Sequence, residues 1–405
     1  MNTKVTPEEG FVAFDPFSAE FRADPASFHP QLLEHSPGFI MMEGNVASAY
    51  VAKYDQCVQV LSNWELFSSL KPANLPGMQR VDFFNGQPVM NYSDPPDHTR
   101  RRRVVDPAFS PGRVRKLADA AERLIDDILG QFEPGQRVDA VNQIGKPLAV
   151  SLLFGEFFGV PREGWQTFLD FGATFPLLDK LKPGDPKPQA YLDGWKKGEA
   201  YCRKLLEDAA NNHSDNILGV LAAAGGDGKM SDAEMMAMMC VLFTGGVPTI
   251  SAMSSSALYY LAKYPEIAAR VREDDALAKP FCEETFRLDA PVTMVMRFCQ
   301  ADTQVGEMTI KKGMPVYTMI SVANRDPDQY DKPLEFNIDR KGMRHLAFGT
   351  GTHVCVGNSI ARMVIPRLVA KAVQRFPNLR IDPDHGSEWE TTPRSRHRGT
   401  APVIL

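Results

Sequence analysis

FGTGTHVCVGN, residues 348–358, holds the one cysteine of this chain whose surroundings ask for chemistry. Cys355 lies two positions after His353 and two before Gly357, just ahead of an apolar stretch that reads as a helix. A thiolate is a strong iron ligand, and a helix start stabilises negative charge on its sulfur. Gly351 and Gly357 leave room for a flat group to approach the backbone, and reach dihedrals other residues avoid. Together these features make Cys355 a candidate heme-thiolate ligand. A buried structural cysteine in a glycine-rich turn is the competing reading, and the rest of the chain decides between them.

The bulk numbers permit a large cofactor site. The chain has 405 residues and a formal charge of −5, with an isoelectric point near 6.0. That balance argues against a general nucleic-acid binder. At this length roughly three quarters of the unfolded surface can be buried, enough to enclose a bulky group. The N-terminal MNTKVTPEEGFVAFDPF is polar and proline-broken, unlike a signal peptide or a membrane anchor. No later run reads as the roughly 18 apolar residues of a spanning helix. The expectation is a cytoplasmic protein with neither membrane nor nucleic acid as partner. Its six cysteines, Cys57, Cys202, Cys240, Cys282, Cys299 and Cys355, form no C-x-x-C pair and suit a reducing compartment.

Helix patterns dominate from residue 114 onward. RVRKLADAAERLIDDILGQF repeats apolar residues at helical spacing, and AVSLLFGEFFGV and GWKKGEAYCRKLLEDAA read the same way. Ser231 with Glu234 forms a capping box that opens SDAEMMAMMCVLFTGG, and the apolar run continues through Pro248 to Tyr264. This predicts a long, mostly buried central helix. Strand signals are short and segregated: FIMMEG and SAYVAKY near the start, residues 297–320, and APVIL at the end. The fold class is therefore mainly α with a small segregated β region, in a single domain over residues 1–405.

The motifs now line up in order. From Phe348 the spacing reads F-x-x-G-x-H-x-C-x-G, through Gly351, His353 and Cys355 to Gly357. Upstream, Glu284-Thr-Phe-Arg287 is an E-x-x-R whose side chains share a helix face and can pair. HTRRRR follows SDPP at 98–103, and ANRDPDQYDKPLEF spans 323–336. In this order the motifs resemble the cytochrome P-450 family, the heme-thiolate monooxygenases, over essentially the whole chain. The resemblance implies the P-450 fold, heme b (iron protoporphyrin IX) as cofactor, and Cys355 as the axial metal ligand. It implies Phe348 packed near the sulfur, and His98, Arg102, Arg297 and His353 at the heme propionates. Glu284 and Arg287 would brace the core. The family often completes that pair with an arginine before the phenylalanine of P-x-R-F, where this chain has Glu335, so the usual three-way ion network is not expected, and Glu335 as a second acid beside Glu284 would need another cation. His98 and Arg102 share one helical face, while Arg100, Arg101 and Arg103 read as a solvated face or a positive patch for an acidic electron donor. A zinc site from His345, His353 and Cys355 is the rival metal reading, and it lacks a fourth ligand at usable spacing.

The long helix carries the candidate catalytic segment, Gly245, Gly246, Pro248 and Thr249. The resemblance implies an acid directly before the threonine, and Pro248 occupies that position. Proline has no N–H and crowds the carbonyl four residues back, on Thr244, so the helix is expected to open there. Proton delivery would then run through water held by Thr249 and the Thr244 carbonyl. The substrate pocket is expected from Phe83, Phe84, Val89, Phe175, Leu177, Leu178, Leu242, Val292, Met294 and Val295, with Met90, Met238 and Met296 as adaptable wall.

The function that follows is an oxidoreductase, a monooxygenase inserting one oxygen atom from O2 into a small or medium apolar organic substrate. Electrons would come from NAD(P)H through a separate ferredoxin-type donor with its reductase. Pro248 keeps open a peroxide-driven oxygenase or another heme-dependent enzyme, such as an isomerase or dehydratase. A non-catalytic heme sensor is the reading from a different class.

Overall fold

Ser231 and Glu234 close a reciprocal cap. The Glu234 N–H donates to Ser231 Oγ at 3.3 Å, and the Ser231 N–H donates to the Glu234 carboxylate at 3.0 Å. The computed structural model describes residues 18–42, 46–70, 84–181, 185–392 and 394–405. From the cap a helix runs Asp232–Lys263, unbroken through Pro248. Residues 235–243 and 250–258 are buried without a gap, as expected of a helix apolar all round. This helix is long and apolar enough to cross a membrane, against the sequence expectation that no run is. Its most apolar window is 72 % buried inside the protein, which accounts for the composition as core.

Other helices pack around it. Pro111–Leu129, Gln189–Asn211, Ala278–Leu288 and Asn358–Arg375 carry the longer predicted patterns. AVSLLFGEFFGV departs from a regular helix: Lys146–Val150 is α-helical, and Ser151–Phe158 winds in wider π-type turns to Gly159. One large apolar core joins the central helix to these neighbours.

The strands stay at the margin. A five-stranded sheet has the order Gly38–Met42, Val46–Val51, Pro315–Thr318, Val295–Cys299, Phe67–Ser68. All its pairings are antiparallel except Val46–Val51 with Pro315–Thr318. A second sheet sets Pro402–Ile404 between Arg137–Asp139 and Arg380–Ile381. Mainly α with segregated β is the observed architecture.

Two buried ion networks tie distant segments together. Arg287 donates from Nε and Nη2 to the two Glu284 oxygens, each at 2.7 Å, with both side chains fully buried. The third partner is Arg340, 3.5 Å from Glu284 Oε1. Glu335 is no second acid in this cluster: its side chain pairs with Lys332 at the surface, and only its carbonyl turns inward, to Arg287. The second network corrects the reading of the arginine run. Arg100 and Arg101 both bind Glu234, Arg101 through Nε at 2.8 Å, so only Arg103 of the expected patch stands free of that carboxylate. These bonds dock the helix Asp97–Val105 onto the cap of the central helix.

Arg100 and, against burial, the Ser231 N–H and Arg101 hold the Glu234 carboxyl down at about 2. A depressed carboxylate contributes stability that is fully present above its unfolded value of 4.5 and is lost as pH falls toward 2. Glu234→Gln should lower stability at pH 7 by on the order of 2 kcal/mol and flatten the loss between pH 4.5 and 2. Urea titrations of both proteins across that range measure it.

Candidate active site

The cysteine loop is built by three backbone hydrogen bonds and two left-handed glycines. The Gly349 N–H donates to Leu346 O, Val354 to Gly351 O, and Cys355 to Phe348 O, the last at 2.8 Å. Gly349 and Gly351 have φ of 67° and 69°. Gly351 serves packing more than access to a flat group. A Cβ there would meet the backbone of Leu61 and Ser62 at 2.7 Å. Gly357 has an ordinary φ of −81°, and a Cβ on it would touch only Cys355 Sγ, at 3.9 Å, so its value is room beside the sulfur.

Cys355 opens the helix Asn358–Arg375 as expected. Burial pushes its thiol up, while the Gly357 N–H, Arg102, the Asn358 N–H and Arg362 pull it down. The residue nevertheless keeps accessible surface. Both facts hold if that surface opens onto an interior space and not onto bulk water. The other five cysteines are buried.

The predicted carboxylate-binding residues converge. The His98 and His353 rings lie 4.2 Å apart. Burial, then Arg297, His98 and Arg102, push His353 down to about 3, so its ring is neutral. Its Nε2 lies 3.0 Å from Ser69 Oγ. His98 is buried with no hydrogen-bond partner for Nδ1 among the described residues. Arg102 donates to Val354 O at 2.7 Å and to Asp106 at 2.6 Å, locking its helix to the cysteine loop with donors to spare. Arg297 is buried on the strand Val295–Cys299. The nearby acids are committed: Asp106 to Arg102, and Asp94 to Ser68 Oγ and the Ser69 N–H. An orphaned imidazole nitrogen among buried cations fits a ligand that brings carboxylates. Ser69 and Asp94 were missed from sequence, although SDPP stands beside the histidine.

The zinc alternative does not form. His345 turns to Glu283, 3.0 Å away, and among the described residues no group of three or more His, Cys, Asp and Glu could hold a metal ion.

Between residues 234 and 258 the central helix is buried except at residues 244–249. Thr249 Oγ1 donates to Gly245 O at 2.7 Å and lies 3.2 Å from Gly246 O. Thr244 Oγ1 donates to Cys240 O at 2.7 Å. Pro248 therefore does not break the helix; it withholds one N–H from the Thr244 carbonyl.

The expected pocket residues divide. Phe84, Val89 and Leu178 join one aromatic-rich cluster with Phe171, Tyr191 and Trp195. Leu177 and Val292 expose apolar surface. Met294 and Met296 instead pack behind the sheet, and Met90 and Met238 sit in the main core, so the methionines form no common wall. Phe83 lies outside the described residues.

A family model described as Cytochrome P450 matches residues 199–395. Cytochrome P450 107B1 of Saccharopolyspora erythraea is 30% identical over 73% of this chain and 71% of its own length. Cytochrome P450 FAS1 of Rhodococcoides fascians is 31% identical over 72% of each. The chain belongs to the cytochrome P450 family. Among solved P450 structures, the bacillaene polyketide synthase cytochrome P450 PksS of Bacillus subtilis superposes with a TM-score of 0.85. It is 25% identical and covers 97% of this chain and 99% of that one. The P450 is a heme b enzyme, an oxidoreductase of the monooxygenase type.

Gly351→Ala should cost more than about 1 kcal/mol, because the new Cβ meets backbone at a positive φ. Gly357→Ala should cost less. Urea midpoints, with the ratio of heme to protein absorbance after purification, rank the two.

Proposed function

We propose that this P450 inserts one atom of dioxygen into a small or medium apolar organic substrate, with the Cys355 thiolate as axial ligand of the heme iron. The observation that carries the reading is Cys355 at the start of its helix, with the Gly357 and Asn358 N–H groups directed at its sulfur beside the His98–His353 pair. Heme b, when bound, supplies an iron at which dioxygen is activated, and a thiolate ligand favours O–O cleavage. His98, His353, Arg102 and Arg297 would hold its two carboxylates, and Phe348 would pack on the sulfur side.

The distal residues act on protons. Thr249 spends its hydroxyl proton on Gly245 O, so its lone pairs are the side it offers to water. The Thr244 carbonyl, deprived of a helical donor by Pro248, is the second acceptor. A water held by both takes the place of the missing acid. Gly245 leaves the helix surface open at this point, whereas Gly246 makes room for Leu153, whose Cδ1 a Cβ would meet at 2.8 Å.

Electrons reach the heme from NAD(P)H through a ferredoxin-type donor and its reductase, the arrangement general among bacterial P450s. Arg103 rims an apolar groove over Trp64, Val104 and Val220, and it is the cation of the arginine run left for an acidic donor, since Arg100 binds Glu234 and Lys229 pairs with Asp227 on the same rim. Residues 1–405 act as one catalytic domain; alignment of PksS over 97% of this chain supports that. A cytoplasmic location fits the bacterial P450 relatives.

Reduced protein with carbon monoxide should show the far-red-shifted Soret band of thiolate ligation, and Cys355→Ala should abolish it. Persistence of the band in that variant would sink the ligand assignment. Substrate-dependent NADH consumption with a ferredoxin system is expected of the monooxygenase; turnover with peroxide alone, or none at all, would favour the peroxygenase or the sensor.

Pro248→Asp is expected to raise the fraction of electrons recovered in product and to change the solvent isotope effect on turnover. If neither quantity moves, water relayed by Thr249 and Thr244 is not the proton route.

A further inference from the structure

Behind the cysteine loop lies a charged cluster that the reaction does not call for. Arg362, one turn into the helix Asn358–Arg375, donates from Nε and Nη2 to the two Glu283 oxygens at 2.7 and 2.9 Å. Its guanidinium carbon sits 4.5 Å from the centre of the Phe348 ring. The Phe348 ring also meets Phe286 edge-on at 5.2 Å and His345 at 5.8 Å. His345 Nδ1 accepts the Ala347 N–H at 3.2 Å, so Nε2 carries the ring proton and donates it to Glu283 at 3.0 Å. Burial pushes the Glu283 carboxyl up, but His345 and Arg362 outweigh it and hold the carboxyl at about 2. Glu283 therefore stays charged and bidentate.

A solvent-facing arginine paired to a glutamate is usually worth little. This pair is different in two respects. Its carboxylate adjoins Glu284 on a helix held to the segment 324–337 by the bonds of Arg287 to Asn324 O and Pro333 O and of the Asn337 N–H to Glu284, so the anchor is fixed. And a guanidinium held at both Nε and Nη2 keeps its carbon over the Phe348 ring, where a flexible ammonium would not stay. Phe348 is in turn the residue whose carbonyl accepts the Cys355 N–H.

We propose that Arg362, anchored by Glu283, is a positioning residue: it fixes the Phe348 ring and, through the Phe348 backbone, the Cys355 loop, so that the sulfur keeps its place as a ligand. This rests on Cys355 being the axial ligand. A loop free to shift carries the sulfur away from that place.

The test uses the heme-loaded full chain with Arg362→Met, Arg362→Lys and Glu283→Gln. The readouts are the share of the reduced carbon monoxide complex at the blue-shifted position, where thiolate ligation is lost, and the midpoint potential of the iron. Positioning predicts that the blue-shifted share grows severalfold in both Arg362→Met and Glu283→Gln, with Arg362→Lys between them and wild type. A purely electrostatic role moves the potential in opposite directions, down on losing the cation and up on losing the anion, with the blue-shifted share unchanged. That outcome, or wild-type spectra in all three, overturns the proposal. If Arg362→Met yields no folded protein, Glu283→Gln and Arg362→Lys carry the same comparison. A wild-type protein without the far-red band overturns the assignment of Cys355 instead, and this proposal with it.

Discussion

Arg287 spends its whole guanidinium inside the protein, and the cysteine loop depends on where those donors go. Two reach Glu284, and Nη1 reaches the carbonyls of Asn324 and Pro333, each at 2.7 Å. Nη2 also meets the Glu335 carbonyl at 3.1 Å. Glu284 accepts the Asn337 N–H at 3.0 Å. A buried ion pair gains little in itself, because desolvation offsets the attraction unless further bonds satisfy both ions. Here those further bonds are the structural result. They pin residues 324–337, an irregular stretch, to a helix. Asn324 then accepts the Leu346 N–H on its side chain at 2.7 Å, and Leu346 begins the turn that delivers Cys355.

Much of this was legible in local spacing. The Ser231–Glu234 box, the i,i+3 relation of Glu284 and Arg287, and the order of Phe348, His353 and Cys355 are all short-range patterns. Short-range patterns carry their partners with them, so the structure reproduces them. The failures share the opposite property. Glu335 was read as an inward acid because its position in a motif was right, but its side chain escapes to Lys332 and Arg340 supplies the cation. Arg100 and Arg101 read as a surface run until Glu234, far away in sequence, turned out to need both. Nothing near 100 in the chain announces that partner.

Pro248 shows a third kind of limit. Sequence chemistry correctly gives the lost N–H, yet it does not tell how much helix is lost with it. The buried runs on both sides hold the axis, so the defect stays at one carbonyl. Burial of 235–243 and 250–258 is a tertiary property, and the accessible window between them is visible only once the fold surrounds it.

The electrostatics of the site argue for one group that is a cation at one place and an anion at another. Left to the protein alone, burial raises the Cys355 thiol and discourages the thiolate, although two N–H groups and two arginines already face it. A few ångströms of fold away the imbalance has the opposite sign. His353 is driven neutral by burial and by Arg297, His98 and Arg102, while Asp94 and Asp106 are spent on other partners. Each half is costly to bury by itself. A bound metal cation deprotonates a coordinating thiol, and a carboxylate supplies a partner for His98 Nδ1, which has none among the described residues. An iron porphyrin with two propionates meets both needs in one rigid body, which is why the two unfavourable halves can share a fold.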